Sequence, residues 1–302
     1  MENVINALSD LLWGQLVYVL LAVGIFFTIR TNFIQFRHFG HMFSVLKHST
    51  VSDAAGISSF QALCTGLAAR VGTGNLAGVA VAIYLGGPGA IFWMWLIAMI
   101  GMASAFVEST LAQLYKVKDD NGSYRGGPAY YMEKGLGQRW MGVLFSIFLI
   151  ISFGLAFNSV QANSISGAMQ SAFGIPNWIT GVVLAALSGI VIFGGVARIA
   201  KVAEWMVPIM AGLYLLIALG VTLMNIEKLP QVFNAIFSSA FDLQAVAGGG
   251  MGAALMTGIK RGLFSNEAGM GSVPNAAATA SASHPVKQGL IQAFGVFVDT
   301  LL

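Results

Sequence analysis

Two short polar stretches interrupt otherwise apolar sequence, and their residue types are the ones that bind small charged solutes. The first lies within Ala62–Gly78, A-L-C-T-G-L-A-A-R-V-G-T-G-N-L-A-G, where Gly72 and Gly74 enclose Thr73 and Asn75 follows. The second lies within Ala254–Gly269, A-L-M-T-G-I-K-R-G-L-F-S-N-E-A-G, where Ser265, Asn266 and Glu267 are adjacent. Both carry A-L-x-T-G, then Leu or Ile, a basic position (Arg70; Lys260 and Arg261), a glycine, a hydroxyl residue and N-x-A-G. Glycine in a helix interior costs roughly 1 kcal/mol relative to alanine, so each stretch is built to break a helix. Close packing between helices would account for small residues. It does not call for Thr73-Gly74-Asn75 and Ser265-Asn266 at matching places in two halves.

A broken span is tolerated in a membrane only where it is buried in protein or lines a cavity. The free amides at a half-helix N-terminus suit a carboxylate. Free carbonyls with Thr, Ser or Asn oxygens suit a hard cation such as Na⁺ or an ammonium group. An amino acid needs both, and a glycine-lined site leaves room for a small one. Candidate ligands are therefore Gly72, Thr73, Gly74, Asn75, Ser265 and Asn266. Phe264, next to Ser265, would cap the site as an apolar lid or serve as a plain core aromatic.

The elements around these breaks are read from hydropathy. Charged residues are 9% of the chain and apolar residues 57%, against about 25% charged in soluble domains. Apolar spans are expected at about 11–29, 56–86 (broken), 89–115, 141–170, 178–196, 203–224 and 245–280 (broken), with a further segment starting near Gly289. The chain reads as a single transmembrane domain over 1–302: an accessory helix at 11–29, a five-helix unit at 56–224, and the start of a second unit at 245–302. Five is odd, so the second broken span must run opposite to the first. The repeat is inverted.

One set of loops holds Arg30, Arg37, Lys47, Lys116, Lys118, Arg125, Lys134, Arg139, Arg198, Lys201 and Lys287, and the opposite set holds only Lys228. That asymmetry places the basic side in the cytoplasm and the N-terminus outside, in a plasma or inner membrane. Trp13, Trp93, Trp95 and Trp178 fall near the outer ends and Trp140 and Trp205 near the inner ones, at the headgroup level. The net charge of +3 follows this topology and is no nucleic-acid signal. Cys64 is the single cysteine, which excludes an internal disulfide. No H-E-x-x-H, G-x-S-x-G or P-loop occurs, and no enzyme chemistry or resident cofactor is expected.

Ionisable residues inside spans cost about 2.5–3.5 kcal/mol each on insertion scales and need a reason. Arg70 and Arg261 are related by the repeat and read either as gate ion pairs or as caps on broken-helix carbonyls. Glu267 could pair with Arg70 or shape a cation site, and Glu108 reads as a structural partner for a basic residue. Asn158 and Gln161 are three apart and share a face. His38, His41 and His48 have spacings a metal could use, but an interfacial loop fits them better.

G-G-P-G-A-I-F-W-M-W-L-I-A-M-I-G-M (86–102), G-T-G-N-L-A-G (72–78) and G-I-K-R-G-L-F-S-N-E-A-G-M-G-S (258–272) together resemble the sodium:alanine (alanine or glycine:cation) symporter family. The likeness runs from about residue 10 to the end. It implies the leucine-transporter type of fold, an all-α polytopic five-helix inverted repeat with an extra N-terminal helix. It also implies Na⁺-coupled uptake of alanine or glycine with no cofactor besides the coupling ion. By the same resemblance Gln161 and Met270 contact substrate, and Asp299 joins Asn75, Ser265 and Asn266 as a sodium ligand. Family members are longer, so the second repeat is expected to be incomplete and the chain truncated at its C-terminus. The alternatives are a proton-coupled carrier using Glu267 or Asp299, and an amino-acid-gated channel or receptor.

Overall fold

The computed structural model describes residues 2–52, 56–120, 122–241 and 250–301, and nearly all of them are helical. Helix α1 (Glu2–Arg30) is followed by two short helices, α2 (Ile34–Arg37) and α3 (Phe39–Lys47). The first broken span is α4 (Ser59–Arg70) and α5 (Thr73–Gly86), bent by 41°. Then come α6 (Gly89–Leu114), a two-stranded hairpin of β1 (Val117–Lys118) and β2 (Tyr124–Arg125), and α7 (Pro128–Leu136). Helix α8 (Arg139–Ile151) continues through a π turn (Ser152–Phe157) into α9 (Asn158–Phe173). Helices α10 (Asn177–Ile192), α11 (Gly195–Met224) and α12 (Leu229–Ala240) complete the middle of the chain. The second break separates α13 (Gly250–Asn266) from α14 (Val273–Thr279). Helix α15 (Pro285–Val296) ends in a π turn (Phe297–Leu301).

Among the described residues, Leu11–Arg30, Gly89–Leu114, Arg139–Phe173 and Gly195–Met224 are each long and apolar enough to cross a bilayer, and the bent pair α4–α5 makes a fifth span. This is a multi-pass, all-α membrane protein. The expected spans differ from the helices mainly at their ends. The turn expected near 196–203 lies at Phe193–Gly194, so Arg198 and Lys201 belong to α11. Residues 30–48 form two short helices where a loop was expected, and α12 was not foreseen. Residues 245–249 of the second broken span lie outside the described residues.

Lipid surrounds these helices, so burial of apolar area does not drive them together; close packing of small residues and internal hydrogen bonds do. Helix α6 is central: 56% of its most apolar window is buried, against 6% for Arg139–Phe173 and for Gly195–Met224. Helix α13 crosses it on Gly258, where a Cβ would lie 2.5 Å from the Ala90 carbonyl oxygen and 2.6 Å from Trp93 Cβ. Leu63 and Leu67 of α4, Met102 and Phe106 of α6, and Leu290 and Phe294 of α15 pack into one core cluster. Helix α4 begins with a capping box in which Ser58 Oγ accepts from Gln61 N–H (3.1 Å) and Gln61 Oε1 accepts from Ser58 N–H (2.9 Å). The amide of Gln61 also donates to Glu204 of α11 at 2.8 Å, fixing the start of α4 to that helix.

The two broken spans run in opposite directions. Ile57, just before α4, pairs with Ala280, just after α14, through Ile57 N–H to Thr279 O (3.2 Å) and Ser281 N–H to Ile57 O (2.9 Å). At the far end Gly86 of α5 lies against Thr257 and the Ala253 carbonyl of α13. Gln113, near the end of α6, donates to the carbonyls of Ala277 (2.5 Å) and Ala280 (2.9 Å), capping the end of α14.

Candidate functional site

The two breaks meet at the middle of the molecule. A Cβ on Gly74 would lie 3.4 Å from the Phe264 ring and 3.7 Å from Ser265 Cα, which puts the first break directly on the second. Helix α4 ends at Arg70, and Val71 and Gly72 adopt non-helical backbone before α5 starts. The amides exposed by this break are held by side chains. Gly72 N–H donates to Asn75 Oδ1 (3.3 Å), and Thr73 N–H donates to Gln161 Oε1 (3.2 Å) from α9. Gly72 packs directly under Gln161: a Cβ there would sit 2.6 Å from Gln161 Nε2 and push that side chain aside.

Asn75 also reaches the last π turn. Its Nδ2 donates to the carbonyl oxygen of Asp299 (2.8 Å) and to Asp299 Oδ1 (2.6 Å). Asp299 Oδ2 in turn accepts from Ser265 Oγ (3.3 Å) and Thr300 Oγ1 (2.7 Å). Ser265 and Asp299 are buried. Of the residues proposed as cation ligands, the structure therefore joins Asn75, Ser265 and Asp299 into one network. Asn266 stands apart from it: its Oδ1 accepts from Ala268 N–H (2.9 Å), and Nδ2 lies towards Gly101 of α6 with no partner among the described residues.

Aromatic rings close one side. Phe153, Phe157 and Phe264 stack in sequence, with centroids 4.4 Å and 5.0 Å apart and both pairs inclined by 13°. The π turn that carries Phe153 and Phe157 inserts extra backbone into α8–α9, and such bulges occur frequently at functional sites. Phe157 and Gln161 are four apart and both half-buried, so they share the inward face. Asn158 is exposed and bonds to Gly154 of its own helix, so the face shared by Asn158 and Gln161 is not the inward one. The sequence reading paired Gln161 with Asn158; in the structure its inward neighbour is Phe157.

The second break is held differently. Glu267 has φ 52°, an uncommon left-handed conformation for a residue with a side chain. Its carboxylate accepts from Ser272 Oγ (2.5 Å) and its carbonyl from Met270 N–H (3.1 Å), which ties the turn together. Met270 itself is half-buried. Glu108 of α6 accepts from the Gly269 N–H at 3.3 Å. Sequence reading expected a basic partner for Glu108; its bonded partner is the backbone of the break.

Arg70 is 2% exposed. Its Nη1 donates to the Gln292 carbonyl (3.3 Å), whereas Nε and Nη2 have no partner among the described residues. Asp299, Glu267 and Glu108 are the charges that act on it, none within ion-pair distance. A lone buried guanidinium costs several kcal/mol, and three surrounding carboxylates offset that cost. Arg261 is half-buried and forms no ion pair with the described residues. Gln292, fully buried with Nε2 donating to the Ala62 carbonyl (3.2 Å), was not foreseen; a glutamine within an apolar run was the available signal.

Comparison with known proteins places the chain among transporters. The sequence model of the sodium:alanine symporter family matches residues 1–302. The chain is 58% identical over 304 residues to a probable sodium/glutamine symporter of Bacillus subtilis, covering 100% of this chain and 63% of the relative. An amino-acid carrier protein of the same organism is 54% identical over 301 residues, with 100% and 64% covered. A sodium/alanine symporter of Methanococcus maripaludis is 45% identical over 308 residues, with 99% and 68% covered. The chain thus spans a little under two thirds of the length of the two Bacillus relatives.

Proposed function

This chain belongs to the sodium:alanine symporter family, and we propose that the protein it builds is a secondary active symporter that couples Na⁺ influx to uptake of alanine or glycine. The observation that carries this reading is the single network in which the first break, the second break and Asp299 share hydrogen bonds through Asn75 and Ser265. A cation at the Asp299 carboxylate and an amino acid at the breaks would touch the same side chains. Binding of one would then raise affinity for the other, and coupling requires that.

The substrate carboxylate is assigned to the amides of Gly72 and Thr73. Gln161 Oε1 and Asn75 Oδ1 now occupy them, and a carboxylate would take over those donors. The ammonium is assigned to the carbonyls near Phe264–Asn266, and Phe264 with Phe157 forms the lid over the side chain. The carboxyl oxygens of Asp299, with the oxygens of Asn75 and Ser265 beside them, are donors that suit a hard cation. The opposed directions of the two broken spans support an inverted repeat of the leucine-transporter type, with the breaks rocking against a scaffold built on α8–α11. The charge asymmetry of the loops supports a cytoplasmic basic side and an outer N-terminus.

Uptake by the whole protein in liposomes tests the proposal. Labelled alanine and glycine should accumulate under an inward Na⁺ gradient, and glutamine should be the weaker substrate because the Phe157–Phe264 stack limits side-chain length. Equal accumulation under a proton gradient with Na⁺ absent would replace Na⁺ coupling by proton coupling. Sustained current without accumulation would make the protein a channel.

A further inference from the structure

Beside the transport site, at the end of the molecule where α4 begins and α6 ends, a cleft of ≈ 550 Å³ opens between α3 and the start of α15. His41 and Ser44 of α3 line it with His48, Ser59 at the start of α4, and Ser283 and Lys287 at the start of α15. No carboxylate lines it among the described residues. The lining is held in place. Lys287 Nζ donates to Ser283 Oγ at 2.8 Å, which leaves the other ammonium protons for a ligand. His48 Nδ1 donates to the Ser44 carbonyl at 2.9 Å, which fixes the ring against α3. The segment is fixed to the body of the molecule by Phe60 N–H donating to the Ser49 carbonyl at 2.9 Å.

Bases and hydroxyls without an acid recognise an oxyanion, through charge-assisted hydrogen bonds. The location decides its source. Helices α2 and α3 form an amphipathic segment with Met42 and Val45 buried and Phe33, Phe36 and Phe43 exposed. Such a segment lies at the level of the lipid headgroups. Basic pockets at that level bind lipid phosphate. We infer that this cleft holds the phosphate headgroup of an anionic membrane lipid, with Lys287 as its cationic contact and His41, His48 and the serine hydroxyls lining it.

The test is lipid binding to the whole purified protein in detergent, read by native mass spectrometry with phosphatidylglycerol and phosphatidylcholine as probes. Phosphatidylglycerol should bind about tenfold more tightly than phosphatidylcholine, and Lys287→Glu or the double change His41→Ala/His48→Ala should remove that preference. Lys47→Ala, a basic residue outside the cleft, should leave it intact. None of these residues belongs to the transport site, so unchanged alanine binding shows that each variant is folded. Equal retention of both lipids by the unmodified protein, or a preference that survives both cleft variants, overturns the assignment. Displacement of phosphatidylglycerol by millimolar inorganic phosphate also overturns it, in favour of a soluble anion.

Discussion

Asn75, in the first turn of α5 just past the break, donates two hydrogen bonds to Asp299, one to the carboxylate at 2.6 Å and one to the main-chain carbonyl at 2.8 Å, across 224 positions of sequence. The same side chain accepts from Gly72 N–H through Oδ1. One carboxamide therefore connects an amide that can receive a substrate carboxylate to an acid that can receive a cation. Asn75→Ala removes all three bonds. Hydrogen bonds to charged groups are worth about 1.5–3 kcal/mol, so apparent Kd for alanine and for Na⁺ should each rise at least ~10-fold. Calorimetry on folded, monodisperse protein is the measurement, and wild-type affinities for both ligands would remove Asn75 from the site.

Gly72→Ala places a methyl group against Gln161 Nε2. The glutamine must move, and the Thr73 amide loses its acceptor. The added methyl and the displaced Gln161 crowd the amides assigned to the substrate carboxylate, so alanine binding should weaken in Gly72→Ala. Adding Gln161→Ala relieves the contact, so the double variant should regain stability without regaining affinity. A double variant that binds alanine like wild type would show that Gln161 only fills space.

Glu108 fixes the second break from α6 through Gly269 N–H. Glu108→Ala removes the acceptor of the part-buried Gly269 N–H, a loss of about 1 kcal/mol. Glu108→Gln keeps an acceptor in place and should recover most of it. Thermal unfolding in detergent measures both. If the two variants melt at the same temperature, the hydrogen bond is not what Glu108 contributes.

Phe264 stacks on Phe157 over the breaks, a geometry worth about 0.5–1.5 kcal/mol beyond the buried area. Phe264→Ala should weaken alanine uptake and let larger neutral amino acids, leucine and glutamine, compete. Competition measured against labelled alanine distinguishes a lid from a core aromatic. An unchanged competition profile identifies the latter.

Much of this was legible in the sequence because a membrane imposes few solutions. Glycine pairs with Asn in an apolar run mark a broken helix; the repeated N-x-A-G located both breaks, and the odd number of spans between them gave their opposed directions. Gln161 was named as a substrate contact, Asp299 as a sodium ligand and Ser265 as both; in the structure Gln161 bonds the first break and Ser265 bonds Asp299. What escaped was set by backbone irregularity or by single buried polar groups. The π turn at Ser152–Phe157 rotates Phe157 inward and has no composition signal. Helix α3 is nine residues long and only half apolar, below what hydropathy detects. Asn266 matches Asn75 in the repeat, yet its side chain bonds within its own turn, because Glu267 takes the left-handed conformation that follows it.

The claim that the substrate and cation sites are joined through Asn75 and Asp299 is tested most directly by one titration. Alanine binding to the whole protein is measured by calorimetry at rising Na⁺, with choline holding the ionic strength constant, in wild type and in Asp299→Asn. Alanine affinity should increase at least ~10-fold across the Na⁺ series in wild type, a coupling of about 1.4 kcal/mol, and should be flat in Asp299→Asn. An alanine affinity independent of Na⁺ in wild type, or a Na⁺ dependence that persists undiminished in Asp299→Asn, would contradict it.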